Sequence, residues 1–170
     1  MSSRAVAPFL GKSTIAQELT VAIDAEIVSL DSINEERGLV GGSGIPVEEW
    51  IRTNEEAARR VSTAMAGDRR VVVDDTSSPR FLRDGWRALA LSASAAFVFV
   101  YVDTPGQQIR ERLLRNRVQS TRNDVIDEVM AEHLENFDPP ESNEAHIVTS
   151  SRVDDMPALL TEVRRSIERH

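Results

Sequence analysis

The chain of 170 residues has no cysteine, which excludes disulfides and thiolate metal sites. Its three histidines, His133, His146 and His170, are too scattered to form a ligand cluster, so structural zinc is ruled out. Long hydrophobic runs are missing too. The longest, Ala95 to Val102, falls far short of the roughly 20 residues a membrane helix needs, and the first residues show no signal-peptide core. A cytoplasmic location without a membrane partner is therefore expected. Positive charge is scarce, with 20 Lys+Arg against 28 Asp+Glu and a net charge of −8 at pH 7. That balance argues against a nucleic-acid partner, because phosphate neutralisation needs clustered cations. A small anionic ligand in a local basic pocket stays compatible with it. Lysine is nearly absent: 19 of the 20 cations are Arg, and Lys12 is the only lysine.

What surrounds Lys12 gives that residue meaning. Gly11-Lys12-Ser13-Thr14 is followed by Ile15, Ala16 and Leu19 at helical spacing, as at the end of a phosphate-binding loop running into a helix. Glycine lets the backbone turn toward an anion, and amides at a helix N-terminus supply donors and the positive end of a dipole. A lysine there reaches the β- and γ-phosphates, and the following serine offers its hydroxyl to Mg²⁺. A plain helix start capped by Ser13 or Thr14 would use the same residues.

The first half of such a loop is altered. In G-x-x-x-x-G-K-[ST] the leading glycine falls on Val6, and Phe9 occupies a position where many loops of this kind carry another glycine. Only Met1 to Ala5 are available for the preceding strand, and Pro8 interrupts a strand drawn through Ala5 to Leu10. A diverged loop, residues missing between Leu10 and Gly11, or a start lying upstream would each account for this. A short or irregular first strand is expected in every case, with a break in the sheet between the Val71 and Phe97 strands.

Further along, strand and helix signals alternate. Glu26 to Leu30 reads as a strand ending at Asp31, with a helix from about Ile33. A turn region with Gly38, Gly41, Gly42 and Gly44 leads to Pro46, and Val47 to Ala66 reads as a long helix closed by Gly67. Arg70 to Asp74 is a strand whose Val71-Val72-Val73 core lacks polar alternation, as expected when both faces are covered. Pro79 to Leu91 and Pro105 to Arg117 read as helices on either side of an Ala96 to Val102 strand. Asp124 to Asn136 reads as helical up to Pro139-Pro140, His146 to Thr149 as a short strand, and Met156 to Glu168 as a closing helix. This order predicts one α/β domain over residues 1–170. It is a three-layer α/β/α sandwich on a parallel sheet of about five strands, with ligands at the strands' carboxyl ends. Asp31, Asp74 and Asp103 each follow an apolar strand, so all three are candidates to face one crevice. Trp50 and Trp86 lie on predicted helices, where core packing is the expected role.

Three further segments carry a family resemblance. Val71 to Thr76, followed by Arg83, is similar to a D-x-T strand motif with an Arg seven residues after the Thr. Val100-Tyr101-Val102-Asp103-Thr104-Pro105, then Arg110, Arg112, Arg115 and Arg117, is similar to a strand leading into an Arg-bearing lid near 112–124. Asn136 to Pro140 with Glu144 matches a segment after that lid. With Gly11-Lys12-Ser13-Thr14 these resemble the small P-loop kinases, the group of gluconate kinase, chloramphenicol phosphotransferase, polynucleotide kinase and the zeta toxins.

The resemblance implies an ATP-dependent, Mg²⁺-requiring kinase that phosphorylates a hydroxyl of a small metabolite or antibiotic. Gly11, Lys12, Ser13 and Thr14 would bind ATP, with Ser13 and Asp74 at the metal. Asp31 would take the acceptor hydroxyl's proton, with Asp31, Thr76 and Arg83 on the substrate. Arg115 and Arg117 would stabilise the transferred phosphoryl group, with Arg122 in reserve. Members with phosphorylated acceptors often carry an Arg three residues after the Asp31 equivalent; here that residue is Asn34, with Arg37 one turn on. Two alternatives remain open. One is a catalytically impaired or truncated nucleotide-binding protein without turnover, favoured by Val6 and Phe9. The other, weaker, is a polynucleotide 5′-hydroxyl kinase.

Overall fold

A computed structural model describes residues 11–39, 45–77, 79–105, 111, 114 and 137–169. Helix α1 (Lys12–Ala22) runs into strand β1 (Ala25–Ser29), which passes directly into helix α2 (Leu30–Glu36). Helix α3 (Val47–Ala66), strand β2 (Arg70–Asp74) and helix α4 (Arg80–Ser92) follow, then strands β3 (Val100–Asp103) and β4 (Ile147–Ser150), a 3₁₀ turn (Val153–Asp155) and helix α5 (Met156–Glu168). The helix over 47–66, the strand over 70–74 and the helix over 156–168 have the bounds the sequence predicts. Of the helix expected at 105–117, residues 105, 111 and 114 are described; 111 and 114 are helical and 105 is not. The helix expected at 124–136 lies outside the described residues.

Three boundaries differ for physical reasons. Leu30 starts α2 instead of ending the strand, because the Ser29 hydroxyl accepts the Ser32 amide and caps the helix there. Pro79 is the N-cap of α4 instead of its first helical residue, without a side-chain cap. Residues 96–99 are not laddered; β3 begins where β4 can pair with it, just after the Ile147 amide donates to the Phe99 carbonyl at 2.8 Å.

Among the described residues the strands form two separate parallel pairs, β1 with β2 and β3 with β4. Ser29 lies opposite Asp74, and Asp103 opposite Ser150. β2 and β3 are not paired, and the segment expected to contribute a short strand between them lies outside the described residues.

One apolar layer nonetheless spans both pairs. Ile15 and Leu19 of α1, Leu159 and Val163 of α5 and Ile147 of β4 form a core that takes in Val72 from β2 and Val100 and Val102 from β3. On the other face Val71 and Val73 of β2 join Val28, Leu30, Ile33, Ala57 and Val61, with Trp86 and Leu89 of α4. Successive valines of β2 thus point into opposite helical layers, as a parallel strand covered on both sides requires. Trp86 packs in this second core, as expected.

The segment that leads into β3 meets α4 through aromatic side chains. The Arg83 guanidinium lies over Phe99 at 5.5 Å and that of Arg87 over Phe97 at 5.2 Å. Tyr101 stacks on Phe137 with centroids 5.8 Å apart. Burial, and secondarily the Asp103 charge, pushes up the Tyr101 phenol.

Candidate active site

Gly11 is the N-cap of α1, extended and without a side-chain cap. Ser13 and Thr14 lie inside the helix, so neither caps it. The first intrahelical bond is Ile15 N to Gly11 O at 3.0 Å, which leaves the amides of the first turn directed out of the helix end. Lys12 is exposed at this end, and Ser13 and Thr14 are half-buried. No residue of the loop before Gly11 is described.

Opposite α1 stand the carboxyl ends of β1 and β2. Asp74 is the last residue of β2, and Asp31 sits in the first turn of α2, two residues beyond the Ser29 that pairs with Asp74. The Asp74 carboxyl is pushed above its ordinary value, chiefly by burial; an interaction with the Ser13 hydroxyl and the charge of Lys12 oppose the rise, and the charges of Asp31 and Asp75 add to it. Lys12, Ser13, Asp31 and Asp74, named from sequence as a set, are therefore brought together. Thr76 follows them, exposed. Asp103 is not part of this cluster: it ends β3 in the other pair of strands, exposed.

The site's chemistry suits a hydrated divalent cation bound along with phosphates. Among the described residues no three His, Cys, Asp or Glu side chains converge as a metal cage. Magnesium typically retains waters and takes one or two protein ligands plus phosphate oxygens, and a desolvated carboxylate beside a serine hydroxyl is such a donor pair.

Arg83 is not placed to meet a substrate. Its side chain is 2% exposed and pairs with Glu144, itself 0% exposed. Nε and Nη2 donate to the two carboxylate oxygens at 2.7 and 2.9 Å, and Nη1 donates to the carbonyls of Asp138 at 2.8 Å and Ser77 at 3.1 Å. The hydrogen bonds to Arg83 hold the Glu144 carboxyl below the usual glutamate range.

Asn34 and Arg37 are likewise structural. Asn34 is 4% exposed and accepts from the Thr53 hydroxyl at 2.6 Å. Arg37 pairs with the Glu49 carboxylate and donates to the Glu49 carbonyl at 2.8 Å, binding α2 to α3. Arg115 and Arg117, the reserve Arg122 and the 112–124 lid lie outside the described residues.

Two residues that sequence reasoning left out of the site belong beside it. The Ser77 hydroxyl donates to the Asp75 carboxylate at 2.5 Å, and Asp75 acts on Asp74 through its charge. This is a side-chain to side-chain bond, not the side-chain to backbone bond that Asp favours in turns, so the sequence carries no specific signal for the pair.

A family model described as an AAA domain matches residues 8–140, and the chain belongs to that family. No protein of curated function matches the chain in sequence. Among solved structures, a sugar kinase from Janibacter sp. HTCC2649 is 19% identical with a TM-score of 0.67, over 93% of this chain and 88% of that one. A gluconokinase from Sinorhizobium meliloti 1021 is 17% identical with a TM-score of 0.60, over 94% and 86%. Chaetomium thermophilum Kti12 in complex with ADP-AlF3 is 14% identical with a TM-score of 0.69, over 94% and 95%. The fold is that of the small P-loop kinases, a P-loop NTPase-like α/β architecture.

Proposed function

We propose that the chain is an ATP-dependent phosphotransferase that moves the γ-phosphoryl group of ATP to a hydroxyl of a small molecule. The observation that carries this reading is positional: Gly11-Lys12-Ser13-Thr14 opens α1, Asp74 ends β2, and Asp31 follows by two residues the Ser29 that pairs with Asp74. The upward push on the Asp74 carboxyl, opposed by Ser13 and Lys12, agrees with that placement. Structural neighbours described as a sugar kinase and a gluconokinase support the same class of acceptor. ADP-AlF3 bound to a third supports a nucleotide ligand.

In this mechanism Gly11, Thr14 and the first-turn amides of α1 hold phosphate oxygens, and Lys12 bridges the β- and γ-phosphates. Ser13 and Asp74 would hold Mg²⁺, which when bound supplies charge neutralisation at those phosphates. Asp31 orients the acceptor hydroxyl and takes its proton as the oxygen bonds to the γ-phosphorus and the bond to the bridging oxygen of ADP breaks. Thr76 contributes a hydroxyl to acceptor binding. Arg115 and Arg117, assigned from sequence, would follow the charge on the transferred group. Arg83 drops out of the substrate set and acts through the framework. The compartment this reading calls for is the cytoplasm, and the acceptor is a small molecule, not a polynucleotide.

The test is a thermal-shift titration with Mg-ATP followed by a screen of hydroxyl-bearing metabolites and antibiotics for ADP release. No protection by Mg-ATP would sink the nucleotide assignment. Protection without any acceptor would favour a binding protein, the reading that Val6 and Phe9 support from the sequence side.

A further inference from the structure

The Arg83–Glu144 pair is the most buried ionic contact among the described residues, with side chains 2% and 0% exposed, and the mechanism above leaves it without a task. A buried ion pair is a weak source of stability, since apolar residues of the same volume often serve as well or better. What an arginine adds is direction, because its planar fork fixes several acceptors at set angles. Here the fork joins three parts of the chain: α4, the 138–144 segment through Glu144 and the Asp138 carbonyl, and the turn after β2 through the Ser77 carbonyl.

That turn leads to the site. Ser77 has a φ of +41°, a left-handed backbone conformation that a non-glycine residue keeps only when its surroundings enforce it. Its carbonyl is held by Arg83 and its hydroxyl holds the Asp75 carboxylate, while Asp75 lies next to Asp74 in sequence and acts on it electrostatically. Arg80 reinforces the same connection, its amide donating to Asp138 at 3.1 Å and its guanidinium to Glu141 at 2.7 Å and Asn143 at 3.0 Å.

We propose that Arg83 is a positioning residue: anchored on Glu144, it fixes the 75–77 turn through the Ser77 carbonyl, and the Ser77 hydroxyl then fixes the Asp75 carboxylate beside Asp74. The acidic half of the phosphate and metal site is thus built on a segment more than sixty residues away in sequence, the Arg83 to Glu144 separation being 61. This rests on the nucleotide reading of the Lys12–Asp74 site, and it replaces the direct substrate contact that the family resemblance implies for Arg83.

The experiment uses the full chain and titrates Mg²⁺ at fixed, saturating ATP, with melting temperature as readout, and adds amide hydrogen exchange on the ligand-free protein. Ser77→Ala should raise the half-saturating Mg²⁺ concentration by up to about tenfold, the lower end of what losing a direct partner of a metal ligand costs, because Ser77 reaches Asp74 only through the Asp75 charge. Its ligand-free melting temperature should stay within about 2 °C of wild type. Arg83→Lys should move Mg²⁺ dependence in the same direction and speed amide exchange at residues 75–77. If Arg83→Lys does not fold, Glu144→Gln, which keeps the shape and loosens the anchor, takes its place. Ser77→Ala titrating like wild type, or an Arg83→Lys protein that is less stable yet unchanged in Mg²⁺ dependence and 75–77 exchange, overturns the proposal. Wild type that gains nothing from Mg-ATP removes the nucleotide reading and this inference with it, an outcome distinct from any difference between variants.

Discussion

Replacing Lys12 with alanine tests the site at its centre, and the structure fixes the sign of the control as well as the effect. Lys12 is exposed at the first position of α1. A cation there opposes the positive end of the helix dipole, which costs about 0.3–1 kcal/mol, and alanine is a good helix former. Lys12→Ala should therefore leave the ligand-free protein as stable as wild type, or more stable by up to about 1 kcal/mol. For a chain of 170 residues the unfolding entropy is about 0.36 kcal/mol per degree, so this gain is at most about 3 °C. Mg-ATP at 100 times its dissociation constant should stabilise wild type by about 2.7 kcal/mol, or roughly 7–8 °C. The variant should lose that shift. Differential scanning fluorimetry with and without Mg-ATP measures both. Equal protection of the two proteins would refute the assignment, and a marked fall in the ligand-free melting temperature would show that Lys12 has a structural role the geometry does not reveal.

Asp31→Asn should lower turnover on an identified acceptor by on the order of 10²-fold or more with folding nearly unchanged, because Ser29 and not Asp31 caps α2; near-normal turnover in a steady-state assay eliminates Asp31 as the base. Glu144→Leu should cost about 3–5 kcal/mol, roughly 10 °C, by leaving the Arg83 charge buried without its partner, and a loss of only a degree or two would contradict the burial seen. Because the Glu144 carboxyl is held below its ordinary value, its stabilisation is present above the usual glutamate range and is lost as pH falls through the folded value. The wild-type melting temperature should accordingly decline in acid more steeply than that of the paired variant Arg83→Met with Glu144→Leu. Asp74 has the opposite sign: its raised value means that ionisation opposes folding once pH climbs past the ordinary Asp value. Asp74→Asn should thus melt no lower than wild type at neutral pH while losing its Mg²⁺-dependent response to ATP, and a large drop in the ligand-free melting temperature would count against this.

Much of the scaffold was legible because local signals coincide with tertiary demand. Pro46 and Gly67 bracket α3, and three consecutive valines specify a strand buried on both sides. Gly11 to Ser13, Asp31 and Asp74 could be named because a parallel α/β sheet gathers strand ends and helix starts on one side. The tasks of the arginines were not legible. Arg83 has the spacing of a family substrate ligand, yet its partner lies 61 residues away, and no periodicity links the two. Nothing in the spacing of Arg37, one turn beyond Asn34, shows that its guanidinium bonds the Thr53 hydroxyl and pairs with Glu49. The start of α2 was misplaced because a single hydroxyl, Ser29, ends one element and begins the next without a loop.

On the nucleotide reading, the contrast between those arginines and Lys12 accounts for a single lysine in a chain whose other cations are Arg. Among the described residues several arginines lock onto a carboxylate of another segment, as Arg37 does with Glu49, Arg60 with Glu36 and Arg83 with Glu144. Lys12 stands among Asp74 and Asp31 as well, yet it influences Asp74 through its field without an ion pair among the described residues. A compact ammonium leaves room for phosphate and cation, whereas a guanidinium there would bind an aspartate through two parallel hydrogen bonds and close the site on itself. Lys12→Arg should therefore separate charge from function. The ligand-free protein should melt higher, by up to about 3 °C for a partly exposed pair worth about 1 kcal/mol, while protection by Mg-ATP disappears. If Lys12→Arg keeps full protection, a positive charge alone suffices at this position, and the retention of lysine has no explanation in the geometry of the site.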